Sequence, residues 1–309
     1  MNPFTYIEPA NIEEALSTLA RYGDEAKPIA GGTGLINLMK QQLVQPGYLI
    51  GLRRLSELKV VTFSILPCDQ GEAKSKRGSS AAGGLALGSL STLRTLETSP
   101  LIMQHAPLLA EACRRVATIR IRSMATVGGA LAHADPSEDL PPAMIAIDAL
   151  VRLRSPRGVR EVPVADFFTG YYETVMEPDE LVTEVAIPPQ PPDSGTAYVK
   201  FLPQTQDDYA TVAVAARVSL QANRISDVRL ALGAVGATPI RARSLEDHLR
   251  GQPQSLTVLR DAAELVADIV DPISDFRGSA SYKREMAVVF TRRALAQAAA
   301  MAQGGEAVR

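Results

Sequence analysis

The chain has 309 residues and a formal net charge of -2 at pH 7, with 46% hydrophobic and 21% charged residues, proportions that suit a globular protein of about two or three packed units. The near-neutral balance argues against nucleic-acid binding as its main work, and no apolar run approaches the ~18 residues of a membrane span. The start, Met1-Asn2-Pro3-Phe4, lacks the pattern of a signal peptide, so a cytoplasmic location is expected.

Asn11 reads as a helix N-cap, with Glu14 completing a capping-box-like start. Ile12, Ala15, Leu16, Leu19 and Ala20 share one helical face, and Gly23 marks the stop. A short strand at Pro28-Ile29-Ala30 runs into Gly31-Gly32-Thr33-Gly34, where a second helix carrying Leu35, Leu38, Met39 and Gln42 begins and continues to Pro46-Gly47. Strands are predicted at 48–52, at 60–66 and from Gly84 to Gly88. Between the last two, Pro67 to Gly83 has the Lys, Ser, Gly and Ala content of an exposed, mobile insertion.

Helices are expected over 92–98, 108–118 and 140–148, the last with Pro141-Pro142 in its first turn. A meander of strands follows at 150–154, 159–162 and 181–187. The segment Pro188-Pro189-Gln190-Pro191-Pro192-Asp193-Ser194 resists helix and sheet and marks the best domain boundary. Beyond it, long strands at 211–220 and 228–235 precede helices at 244–249, 256–269 and 282–301, then a frayed tail over 303–309.

Two glycine motifs carry the chemistry. In Ala30-Gly31-Gly32-Thr33-Gly34-Leu35, glycines between a strand and a helix start leave backbone N–H groups open to a phosphate. The motif is neither GxGxxG nor a Walker A loop, and a plain structural turn is the alternative. In Thr126-Val127-Gly128-Gly129-Ala130, paired glycines again follow a hydroxyl residue, and Asp139 stands before the next helix. Asp139 reads either as an N-cap or as a carboxylate accepting hydrogen bonds from a ribose or polyol. Together the two motifs suggest a dinucleotide gripped between two lobes. Cys68 and Cys113 are the only cysteines, so any metal redox centre is expected on another chain; a disulfide between them stays open.

The stretches Ile29 to Leu35, Gly88-Ser89-Leu90-Ser91-Thr92, Ile119 to Leu131, His133-Ala134-Asp135-Pro136 and Tyr282-Lys283-Arg284 occur in an order that resembles the FAD-carrying subunit of molybdenum hydroxylases, the family of the carbon monoxide dehydrogenase medium subunit and the xanthine dehydrogenase flavin domain. The resemblance covers nearly the whole chain. It implies an α+β fold: a two-lobed FAD-binding domain of the PCMH or vanillyl-alcohol-oxidase-like kind, with lobes at 1–57 and 58–187, then a C-terminal domain over 188–302 of a three-stranded antiparallel sheet with helices.

It further implies that Ile29, Ala30, Gly31, Gly32, Thr33, Gly34 and Leu35 wrap the FAD pyrophosphate and that Thr126, Val127, Gly128, Gly129 and Ala130 line the phosphates or ribityl chain. Asp139 matches an acidic FAD contact, Val182 packs on the flavin ring, and Lys200 lies near the isoalloxazine. Their plain alternatives are core packing for Val182 and a solvated strand position for Lys200. No catalytic residue and no metal ligand is expected on this chain. The implied partners are a small iron–sulfur subunit with 2Fe-2S clusters, a large molybdopterin subunit, and an external electron acceptor such as NAD, oxygen or a quinone. Rival expectations are a self-sufficient flavin oxidase and a non-redox assembly subunit.

Three departures from the family pattern stand out. The stretch Pro203 to Tyr209, after Lys200, has no arginine where relatives often carry them, so local charge should differ. Gly51 stands where aspartate is common, and the 67–83 insertion is long. His133 is expected to be a hydrogen-bonded loop histidine rather than a covalent flavin anchor.

Overall fold

The computed structural model describes residues 2–65, 83–203, 205 and 208–304. The expected insertion over 67–83 lies outside them except for Gly83, as do Cys68 and residues 305–309 of the tail. No helix among the described residues is long and apolar enough to cross a membrane.

The N-terminal unit is β1 (Thr5–Ile7), α1 (Ile12–Tyr22), β2 (Ala26–Ile29), α2 (Leu35–Lys40) and β3 (Tyr48–Gly51), with the parallel sheet order β1-β3-β2. Asn11 accepts from the Glu14 amide at 2.9 Å, and the Glu14 carboxylate accepts from the Ala10 amide at 2.7 Å. Gly23, at φ +52°, ends α1. Ile12, Ala15, Leu16 and Leu19 meet Ala26, Ile50 and Leu52, and burial of each large aliphatic contributes roughly 1.5–3 kcal/mol. The second helix is shorter than its sequence pattern: it stops at Lys40, and Gln42 is left-handed at φ +63°.

The second unit holds a five-stranded sheet in the order β4-β5-β10-β6-β7. Its strands are β4 (Val61–Ile65), β5 (Gly83–Gly88), β6 (Leu150–Ser155), β7 (Gly158–Pro163) and β10 (Leu181–Ile187), with a small β8 (Phe168–Gly170) and β9 (Glu173–Thr174) ribbon beside it. All its neighbours are antiparallel. Six short helices cover one face: α3 (Leu93–Thr98), α4 (Pro100–His105), α5 (Pro107–Arg115), α6 (Ile119–Arg122), α7 (Val127–His133) and α8 (Leu140–Ala146). Thr92, Ser99, Thr118 and Thr126 cap the starts of four of them through their hydroxyls, so local sequence sets where these short helices begin.

The C-terminal unit contains β11 (Ser194–Phe201), β12 (Val212–Gln221), β13 (Arg224–Gly233) and β14 (Ile240–Arg241), followed by α9 (Arg243–Leu249), α10 (Leu256–Glu264) and α11 (Ala280–Ala302). The sheet thus has three long strands as expected and a fourth of only two residues, held by Ala231 and Leu232. The expected helix over 256–269 divides, with 3-10 geometry at Leu265–Asp268. Gln303 of the expected frayed tail is tied down, its side-chain amide donating to Gln254 at 2.8 Å.

The centre of the molecule follows from the alternation in β12. Ala213 and Ala215 face the core of the second unit, while Val212, Val214, Ala216 and Val218 face the C-terminal helices. Small side chains on one face let α8 approach the sheet closely, and β-branched residues fill the other. At the same junction Asp148 receives Arg217, Arg229 and Arg241 at 2.9 to 3.1 Å. Gln190 in the proline-rich connection accepts from Arg217 at 2.6 Å.

Candidate functional site

The two glycine motifs, remote in sequence, are in contact. A methyl group added to Gly31 would stand 1.9 Å from the carbonyl oxygen of Met124 and 3.2 Å from Cα of Ala125. One added to Gly34 would meet Nε2 of His133 at 2.7 Å, and one on Gly129 would lie 4.0 Å from Cβ of Ala30. Absence of these side chains is what lets the β2–α2 turn lie on the entry to α7. Gly32, at φ +72°, turns the chain in a region that L side chains rarely adopt.

Backbone donors are divided unequally between the motifs. Among the described hydrogen bonds, the amides of residues 31 to 35 have no acceptor within the chain, whereas Ile36 donates to Gly32 and Leu38 to Gly34. Three of these five residues are glycines, so their amides are left open to an anionic oxygen. With α2 only six residues long, this row of amides matters more than any helix dipole. In the second motif the amides of Val127, Gly128, Gly129 and Ala130 are spent on Ser91, Ser89 and Thr126. Val127 is fully buried, and Gly128 makes room for Ser89, whose Cβ would stand 2.5 Å from an added methyl. These two residues therefore shape the turn, while Gly129 is exposed and half-buried Ala130 lies beside it. Thr126 spends its hydroxyl capping the Gly129 amide at 3.2 Å.

Asp139 does not act as the N-cap that its position suggests. It precedes α8 but makes no capping bond. Tyr198 Oη donates to its Oδ1 at 2.5 Å and Lys200 Nζ to its Oδ2 at 2.8 Å. Lys200 is not a solvated strand residue either: its side chain is 1% exposed, and Nζ also donates to the Arg115 carbonyl at 3.0 Å. Tyr198 and Lys200 sit two apart on β11 and so share a face. Burial raises the Asp139 carboxyl, and Lys200 and Tyr198 oppose that rise; burial and Asp139 push the Tyr198 hydroxyl well up. Val182 is buried in the core of the second unit at a bulge in β10, the position of its plain alternative.

His133 closes α7 rather than lying in a loop, and its ring meets Tyr172 edge-on with centroids 5.4 Å apart. Burial holds its imidazole below the ordinary range, against the pull of Asp135. Tyr172 donates to Asp135 Oδ2 at 3.0 Å, and burial together with Asp135 pushes its hydroxyl up to about 12. Glu138, beside Asp135 and Asp139, is raised well above the carboxylate range, chiefly by burial. Sequence reasoning missed Tyr172 and Tyr198, although Tyr198 was legible from the period of two that pairs it with Lys200.

Gly51 has a local cause. A methyl there would lie 2.2 Å from the hydroxyl of Tyr6, so the tyrosine from β1 occupies the space above the strand. Cys113 is a buried free thiol. Among the described residues no cluster of His, Cys, Asp and Glu has the makings of a metal site. Two clefts, of about 290 and 250 Å³, lie elsewhere, over Arg152 and Thr183 and beside the proline-rich connection.

Two family models match most of the chain. The family model for the FAD binding domain in molybdopterin dehydrogenase matches residues 2–190, and that for the CO dehydrogenase flavoprotein C-terminal domain matches residues 197–298. The chain is 31% identical to the glyceraldehyde dehydrogenase medium chain of Sulfolobus acidocaldarius, covering 96% of this chain and 98% of that one. It is 33% identical to the carbon monoxide dehydrogenase medium chain of Hydrogenophaga pseudoflava, covering 94% and 96%. A solved carbon monoxide dehydrogenase from that organism superposes with a TM-score of 0.87 at 33% identity over 98% of this chain and 99% of that one. Quinoline 2-oxidoreductase from Pseudomonas putida gives 0.86 at 32% identity over 97% and 98%.

Proposed function

The chain belongs to the family of FAD-binding medium subunits of molybdenum-dependent dehydrogenases, and we propose that it serves as the electron-transfer subunit of a heteromeric molybdenum hydroxylase. In that role it receives electrons from 2Fe-2S clusters on a small partner subunit. A large molybdopterin subunit oxidises the substrate, and an external acceptor (NAD, oxygen or a quinone) leaves with the electrons. The cytoplasm is the compartment this reading favours. The observation that carries the proposal is the row of free amides at residues 31–35 lying against the second glycine turn.

On this reading Gly31 to Leu35 receive the pyrophosphate, Ile29 and Ala30 form the wall leading into the turn, and Gly129 and Ala130 close the opposite side. Thr126, Val127 and Gly128 hold that second turn in shape. On the same reading Asp139 is the acidic FAD contact, Lys200 lies near the isoalloxazine and Val182 packs on the flavin ring, with Lys200 and Tyr198 holding the Asp139 carboxylate in place. FAD supplies the redox chemistry, because it takes electrons singly and releases a pair; the chain's own work is binding, orientation and electrostatics.

The test is an absorption spectrum of the purified chain before and after acid precipitation, followed by dithionite and by titration with FAD. Flavin bands that move to the supernatant and bleach on reduction are expected. A colourless chain that takes up no added FAD would overturn the proposal and return both glycine motifs to ordinary turns.

A further inference from the structure

The segment after Lys200 has no arginine of its own, yet a guanidinium reaches it from another part of the chain. Arg277 lies in the tight turn before α11, where Asp275 and Gly278 exchange backbone hydrogen bonds at 3.1 Å and the Arg277 amide donates to Asp275 Oδ1 at 2.8 Å. Lys283, itself 4% exposed, anchors the turn from within α11 by donating to Asp275 Oδ1 at 2.7 Å and to the Ile273 carbonyl at 3.0 Å. From this fixed base Arg277 Nη2 donates to Asp208 Oδ1 at 3.0 Å. Its guanidinium carbon lies 4.3 Å from the Phe276 ring centre and 5.8 Å from that of Tyr209. Nε is buried without an acceptor among the described residues, a cost that an ordinary surface ion pair does not carry.

On its other side the Tyr209 hydroxyl is held within the influence of Asp135, Glu138 and Tyr172, which together with burial push it upward. Tyr172 in turn abuts His133, and His133 the Gly34 turn. Tyr172 and His133 thus form an aromatic rim beside the glycine turn, and the residues that Arg277 holds are tied to the end of β11, where the Thr211 amide donates to the Phe201 carbonyl at 3.0 Å, one residue beyond Lys200.

We propose that Arg277 is a positioning residue for the acceptor side of the site: from another part of the same chain it brings a cation to Asp208, and by pairing with Asp208 and lying over the Phe276 and Tyr209 rings it fixes Tyr209 in the rim. The assignment rests on the reading that FAD lies at the paired glycine turns. Arginine suits the role because one flat group both pairs with a carboxylate and stacks on rings, which lysine cannot reproduce.

The chain contains no tryptophan, so Tyr209→Trp introduces a single reporter. In the full chain without FAD, combining it with Arg277→Gln should shift the emission to the red and raise acrylamide quenching, consistent with a docked-to-free ratio lowered about tenfold by loss of a charge-assisted hydrogen bond. Arg277→Lys should restore the emission only in part. In the assembled enzyme, with Tyr209 intact, Arg277→Gln should raise KM for the external acceptor while the rate of flavin reduction by the enzyme's own substrate stays unchanged. An unaltered emission and quenching in the double variant overturns the proposal, as does a flavin reduction rate that falls in step with turnover. Failure of the unsubstituted chain to bind FAD would count against the proposed function, while the tryptophan signal, read without FAD, still decides the clamp.

Discussion

Gly31→Ala places the largest demand on the site for the smallest chemical change. The added methyl would lie 1.9 Å from the Met124 carbonyl oxygen and 2.7 Å from its carbonyl carbon, both backbone atoms with no rotamer to escape into. Ordinary contact needs about 3.5 Å, so the two turns must part by roughly 1.5 Å. Overpacking of this kind costs about 1–3 kcal/mol. If that cost falls on the FAD-competent geometry, affinity drops by roughly 5-fold to 150-fold at 1.4 kcal/mol per decade.

The assay is a fluorescence titration of FAD into the FAD-free chain, with thermal melting run in parallel. Gly34→Ala is the control: the nearest atoms to its methyl belong to the His133 ring, at 2.7 to 2.9 Å, and adding His133→Ala should recover most of the lost affinity. If Gly31→Ala binds FAD within about twofold of the unsubstituted chain, the contact between the turns is not what forms the cradle, and the reasoning is refuted.

Three further outcomes are expected. Lys200→Met should lower the denaturant midpoint by the equivalent of about 3–5 kcal/mol, since it leaves buried Asp139 without its cation; a loss confined to a few tenths would show that Tyr198 suffices. Burial pushes the Glu97 carboxyl up, but Arg94 and Arg122 more than reverse this and leave it below its usual value, so its stabilisation is full above the unfolded carboxylate pKa of about 4.3 and is lost as pH falls through the lower folded value. Glu97→Gln should remove that acid limb from a stability–pH curve, and an unchanged limb would assign it to other carboxylates. Gly51→Ala should cost under about 1 kcal/mol by thermal melting, because the clashing Tyr6 ring is 51% exposed and free to swing aside.

Much of the architecture was legible because it rests on local rules. The Asn11 cap, the face of α1 and the Gly23 stop are all within one helix, and β12 and β13 show the strand composition that their burial demands. The length of α2 was not legible, since the periodic Leu38, Met39 and Gln42 continue past the point where Gln42 turns left-handed. Nor was the role of Asp139, which has the composition and position of an N-cap; the tertiary fold instead brings Tyr198 and Lys200 to it from β11, some sixty residues on.

The sequence by itself determined which segments lack side chains and hence where backbone amides can be open to an anion, because that is a property of glycine and needs no partner. Only the tertiary structure decided that residues 31–35 keep their amides free while those of residues 127–130 are spent at home. It also decided that the Arg277 guanidinium lies beside Asp208. Hydrogen-bond satisfaction and charge pairing depend on which chains of atoms meet in space, and no local pattern records a meeting between residues so far apart.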